Sequence, residues 1–95
     1  MNLVINNQIT KKLEKIKNQN LSQKTILKLK EIEHSPDFQS LLNTQKIEKI
    51  KSKTVEYYIG RVTLDYRLLL TFENETSTWI AVDILSHDEL SSKKI

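Results

Sequence analysis

Tyr66-Arg67-Leu68-Leu69-Leu70-Thr71-Phe72 is the stretch on which the fold turns. Leu68, Leu70 and Phe72 recur at a spacing of two, the period of a strand, whereas the apolar residues of the first half of the chain recur at three and four. The change of period divides the chain into a helical front and a stranded back. Two flanking runs share the strand reading: Val55 to Val62, rich in Val, Tyr and Ile, and Trp79 to Leu85, with Ile80, Val82 and Ile84 in alternation. Thr63-Leu64-Asp65 and Glu73 to Thr78 join them, and connections this short favour antiparallel hairpins.

Ahead of the strands, Leu3-Val4-Ile5 reads as a short first strand ending at Asn6-Asn7. Ile9, Leu13 and Ile16 then share one face of a helix over Gln8 to Lys17. Asn20 with Gln23 resembles a capping pair for a second helix, whose stripe is Leu21, Ile26, Leu29 and Ile32. Pro36 restricts Ser35, so this helix stops near His34. Asp37 to Leu42 adds one helical turn, Asn43-Thr44-Gln45 reads as a loop, and Ile47 to Lys53 suits helix or strand equally. The expected architecture is α+β: an N-terminal strand, a helical hairpin and an antiparallel sheet with the helices on one face.

The 95 residues suffice for a single domain, 1–95, burying only about 60–65% of its unfolded surface. With no cysteine there is no disulfide, thiolate metal site or cysteine nucleophile, which fits a reducing cytoplasm. Apolar runs such as Leu68-Leu69-Leu70 are far short of the ~20 residues that span a bilayer, and no export signal is visible. The net charge of +3 is too small to name a partner, but its distribution is uneven. Residues 1–56 hold eleven lysines against six carboxylates, and residues 57–95 hold four cations against six carboxylates. Both arginines, Arg61 and Arg67, lie in the acidic half, and arginine is the usual choice for holding a phosphate in fixed geometry.

Alternation predicts that Leu68, Leu70 and Phe72, with Ile80, Val82 and Ile84, face the helices. Arg67, Leu69 and Thr71, with Trp79, Ala81, Asp83 and Leu85, then lie on the open face, and Tyr57, Ile59 and Arg61 share one side of their strand. Arginine and aromatic rings on one face suit phosphate and base of a nucleotide, although cross-strand aromatic and aliphatic pairs are common on any exposed sheet. Glu33 and Asp37 flank His34, but a histidine at a helix end more simply complements the helix dipole, so no metal site is assigned.

The run Arg61-Val62-Thr63-Leu64-Asp65-Tyr66-Arg67-Leu68-Leu69, followed by Ile84-Leu85-Ser86-His87-Asp88-Glu89, resembles the RelE/ParE superfamily of toxins from toxin–antitoxin systems. Upstream, Leu13-Glu14-Lys15-Ile16, Leu27-Lys28-Leu29-Lys30 and Pro36 follow the family's strand and helix order. The resemblance implies a small cytoplasmic toxin neutralised by a cognate antitoxin. One branch is a metal-independent endoribonuclease that cuts mRNA on the ribosome and inhibits translation, with no cofactor, membrane or small-molecule substrate. The alternative is a ParE-like, non-enzymatic inhibitor of DNA gyrase, or a decayed member that still binds its antitoxin. Residue by residue it makes Arg67 and His87 catalytic, the first holding the scissile phosphate and the second acting as general acid or base. Imidazoles ordinarily titrate near pH ~6.5, which suits that role. Arg61 matches an earlier basic residue of the same hairpin and becomes phosphate-binding, while Tyr57 and Trp79 are RNA-binding candidates from the face reading above. Ser91 stands where the family has a terminal tyrosine, Tyr57 and Ile59 where its ribosome-dependent members place strand lysines, and Thr63-Leu64 where it has one glycine.

Overall fold

A computed structural model describes residues 2–45, 47–51 and 56–92. The chain opens with strand β1 (Asn2–Ile5) and helices α1 (Asn7–Ile16), α2 (Gln19–His34) and α3 (Phe38–Gln45). Strands β2 (Glu48–Lys51), β3 (Glu56–Arg61), β4 (Tyr66–Glu73) and β5 (Thr78–Ser86) follow, and a short helix α4 (His87–Ser92) ends the described chain. The α+β class is as expected. No helix is long and apolar enough to cross a membrane.

Local chemistry sets the helix boundaries. The Asn6 side chain accepts from Gln8 N and starts α1, while Lys17 in the left-handed region returns its N–H to the Leu13 carbonyl and stops it. Asn18, rather than Asn20, caps α2 by accepting from Leu21 N at 3.1 Å, so the helix begins two residues earlier than the Asn20–Gln23 pair suggests. It ends at His34, whose Nδ1 lies 2.8 Å from the Lys30 carbonyl. Asp37 accepts from Ser40 N at 2.7 Å, and this bond holds its carboxyl below the usual value. The helix it introduces runs through Asn43 to Gln45, residues read as a loop from sequence.

The sheet has five strands in the order β1-β5-β4-β3-β2. The first strand pairs parallel with the last, Asn2 opposite Thr78, and all other pairings are antiparallel. Residues 48–51 make a strand of the ambiguous segment, giving the meander a fourth member; the end of that segment, 52–53, and Val55 of the next expected strand lie outside the described residues.

A bulge in β5 overturns half of the expected face assignment. Leu69 pairs with Asp83 and Leu70 with Ala81, so Val82 is an extra residue that shifts the alternation. Phe72 and Trp79, Leu70 and Ala81, Leu68 and Ile84 therefore pair on the helix side. Trp79 and Ala81, expected on the open face, are fully buried with Ile9, Leu29, Ile32, Leu41, Ile47 and Tyr58. Ile80 and Val82, expected toward the helices, lie on the opposite side, where Val82 packs with Ile59, Leu69 and Leu85. That second face is partly covered too, since Leu90 of α4 packs on the same cluster.

Trp79 meets Tyr58 edge-on at 5.1 Å between ring centroids and Phe72 at 5.0 Å. A surface tryptophan would be dispensable, but truncating this one empties the centre of the core. Trp79→Ala is expected to destabilise the protein by about 3–5 kcal/mol in urea unfolding. A loss below about 1 kcal/mol would contradict the packing described.

Candidate functional site

The β3–β4 hairpin builds the site. Arg61 pairs directly with Arg67 across the two strands. Like charges so placed repel, and the turn between them compensates one of the two. Arg67 Nη1 donates to the carbonyls of Thr63 at 2.8 Å, Leu64 at 3.1 Å and Tyr66 at 3.1 Å. Those carbonyls are held in turn: Val62 N and Thr63 N both donate to the Tyr66 carbonyl, and Tyr66 N donates to Thr63 Oγ1. All three bonds use one nitrogen of the guanidinium. Among the described residues nothing bonds to the edge formed by Nε and Nη2, and that fork suits the two oxygens of a phosphate or carboxylate.

Helix α4 places His87 beside this turn. Ser86 and Glu89 satisfy each other reciprocally, Ser86 N donating to Glu89 Oε1 and Glu89 N to Ser86 Oγ, both at 3.1 Å. His87 N donates to the Asp65 carbonyl at 2.8 Å, stitching the helix to the hairpin tip. Leu64, Asp65, Tyr66, Arg67, Ser86, His87 and Asp88 line an open cleft of about 600 Å³. It brings one guanidinium, one imidazole and two carboxylates to one surface. Among the described residues no group of three or more His, Asp or Glu side chains is placed to hold a metal ion.

A second network fixes α4 from behind. Lys12 of α1 reaches Glu89 at 2.8 Å and Asp83 at 3.6 Å, and Gln8 Nε2 donates to Asp83 Oδ2 at 3.2 Å. Asp83 is only 3% exposed, and its other oxygen accepts from Ile84 N at 2.8 Å. The hydrogen bond from Lys12, reinforced by Ser86 N, holds the Glu89 carboxyl below its ordinary value. Ser91, also on α4, donates its hydroxyl to the His87 carbonyl at 3.0 Å.

Of the five residues proposed from sequence, Arg67 and His87 share the cleft, and Arg61 adjoins it through its strand pairing. Trp79 does not: the bulge in β5 turns it into the core, so it contacts no ligand on the surface. Tyr57 is on the Ile59 side of β3, half-buried and packed against the Ile59, Leu69 and Leu85 cluster. Four residues along a strand put it about 13 Å from Arg61, outside the cleft. Helix α4 was missed, although Ser86-His87-Asp88-Glu89 carries the capping-box spacing that signals a helix start. Lys12 and Asp83 had no such signal, because 71 positions separate them and only the fold brings them together. The chain matches no known protein-family model, and a search of curated proteins found no match.

Because Glu89 is depressed, its ion pair contributes above the ordinary carboxyl pKa of ~4.3 and is lost as pH falls through the lowered value. Amide protection of α4 is thus expected to be constant from neutrality down to the ordinary carboxyl range and to decrease at more acidic pH. Glu89→Gln should remove that acid step. Lys12→Met should also expose α4 to exchange and destabilise the protein by about 1–3 kcal/mol, since buried Asp83 loses its cation. Hydrogen exchange followed by NMR reads both effects, and unchanged α4 protection in Lys12→Met would refute the role given to this network.

Proposed function

We propose that this protein is a RelE/ParE-like toxin of a toxin–antitoxin system, a metal-independent endoribonuclease that cuts mRNA on the ribosome and is neutralised in the cytoplasm by a cognate antitoxin. The observation carrying this reading is the bond from His87 N to the Asp65 carbonyl, which sets an imidazole beside an arginine whose fork is free on one edge. The order of elements supports it as well: a short strand, a helical hairpin, the arginine hairpin, one more strand and the His-Asp-Glu segment.

In the proposed reaction the ribose 2′-oxygen attacks the adjacent phosphorus and the bond to the 5′-oxygen breaks, leaving a 2′,3′-cyclic phosphate and a 5′-hydroxyl. Nε and Nη2 of Arg67 hold the phosphate oxygens as charge accumulates, with Arg61 adding a second positive charge. His87 in its protonated form delivers a proton to the departing 5′-oxygen. The proton of the 2′-hydroxyl passes to a carboxylate lining the cleft, Asp65 or Asp88.

One observation favours the non-enzymatic alternative, an inhibitor of DNA gyrase or an antitoxin-binding remnant. Ser91 occupies the position of the family tyrosine and turns its hydroxyl back onto its own helix.

Induced expression without antitoxin, with RNA-end mapping and a gyrase supercoiling assay, decides between these readings. Growth arrest with mapped mRNA breaks is expected. Arg67→Ala should lower cleavage by about 100-fold or more while the protein still folds, because the bonds lost are local to one turn. Cleaved DNA without cut mRNA would favour the gyrase inhibitor, and unimpaired growth would exclude a toxin.

A further inference from the structure

The tip of the arginine hairpin is flanked by two clefts, and the Arg61–Arg67 pair contributes one residue to each. Arg67 lines the cleft toward α4. Arg61 and Val62 line the other, toward α2, together with Lys24, Leu27, Lys28 and Glu31. The α2 residues lie at spacings of three and four, so they form one continuous stripe along the helix. This second cleft, of about 250 Å³, holds three cations and one carboxylate, whereas the α4 cleft holds one guanidinium and an imidazole against two carboxylates. Positive charge is therefore concentrated on the α2 side of the hairpin.

The packing on that side is specific. Gly60 immediately precedes Arg61, and a Cβ there would lie 3.2 Å from Cε of Lys28 and 3.6 Å from Cγ1 of Ile47. Absence of a side chain lets the lysine stem lie flat over β3 and brings its ammonium to the strand end. Lys28 is half-buried, and that burial lowers its pKa against the opposing pull of Glu31. The Arg61 side chain is exposed at the end of β3.

We infer that the α2 cleft binds the sugar–phosphate backbone of single-stranded RNA, with Lys24, Lys28 and Arg61 on consecutive phosphates and Arg67 on the next one across the hairpin. This deepens the proposed function, and rests on it, by assigning the electrostatic hold on the strand to α2 and leaving the α4 cleft for the reacting phosphate. Exposed Leu27 and Leu64, 58% and 78% accessible beside the two clefts, offer apolar contact to bases.

The test is fluorescence anisotropy with 2′-O-methyl RNA, which cannot be cut, as a tetranucleotide and a dodecanucleotide over a range of salt. The variant Lys24→Ala/Lys28→Met keeps the packing over Gly60 and removes two charges. It should weaken dodecanucleotide binding about 10-fold and flatten the slope of log K against log salt by about 1.4, and the tetranucleotide, whose three phosphates match the three cations, should lose affinity too. Lys24→Ala alone, at an exposed position, should flatten the slope by about half as much. Lys11→Ala/Lys15→Ala removes the same charge from exposed positions of α1 and should change neither. Wild-type affinity in the α2 variant, an equal loss in the α1 variant, or no dodecanucleotide binding at all would overturn the inference. Tighter binding of a polyglutamate peptide through the same lysines would overturn it in favour of an acidic protein partner. Lysine-dependent RNA binding by a chain that cuts no RNA in cells would uphold the inference while removing the nuclease reading.

Discussion

One extra residue in β5 sets the arrangement of both faces of the sheet. Strict alternation cannot place Trp79, Ala81 and Ile84 on the same side, because the third differs in parity from the first two. Val82, standing outside the ladder opposite Leu69 and Leu70, changes the parity once and lets all three pair toward the helices. The same step leaves Asp83 and Leu85 on the other side, where Leu85 packs near Leu90 and Asp83 receives Lys12 and Gln8. Core and candidate site are thus set by the same irregularity.

From that point, the site is assembled by short polar bonds between elements far apart in sequence. The hairpin tip fixes Arg67, the Asp65 carbonyl fixes the start of α4, and Lys12 fixes its middle through Glu89. None of these contacts is large, and an exposed ion pair of this kind contributes about 1 kcal/mol or less. Their number matters more than their individual strength. A six-residue helix has little stability alone, and α4 keeps its place through contacts on three sides: the hairpin tip, α1 and the Leu90 cluster.

Much of this was legible in the residues. The switch of period at the middle of the chain gave the α+β class, Pro36 gave the end of α2, and the alternation of Leu68, Leu70 and Phe72 gave the orientation of β4 correctly. The two arginines stood out by type and position, and the structure pairs them. What failed did so for identifiable reasons. A β-bulge is invisible where both faces of a strand are apolar, as in Trp79 to Leu85, because either phase looks acceptable; that misplaced Trp79. Asn18 and Asn20 are both plausible caps, and local pattern does not rank them. Lys24 and Lys28 carry no local signal that tells them from the other helix lysines, and only the missing side chain at Gly60 shows why one of them lies against the sheet.

The parallel pairing of β1 with β5 governs the order in which the molecule assembles. Asn2 meets Thr78, so the first strand of the chain has no neighbour in the sheet until the last strand exists. The contacts of α1 and α2 are local and those of the antiparallel meander close through hairpins, whereas β1 reaches β5 across most of the sequence, the kind of long-range contact that slows folding. Asn6 N then bonds to the Ala81 carbonyl, just before the bulge. The sheet is therefore complete only where residues 76 positions apart, Asn2 and Thr78, lie side by side.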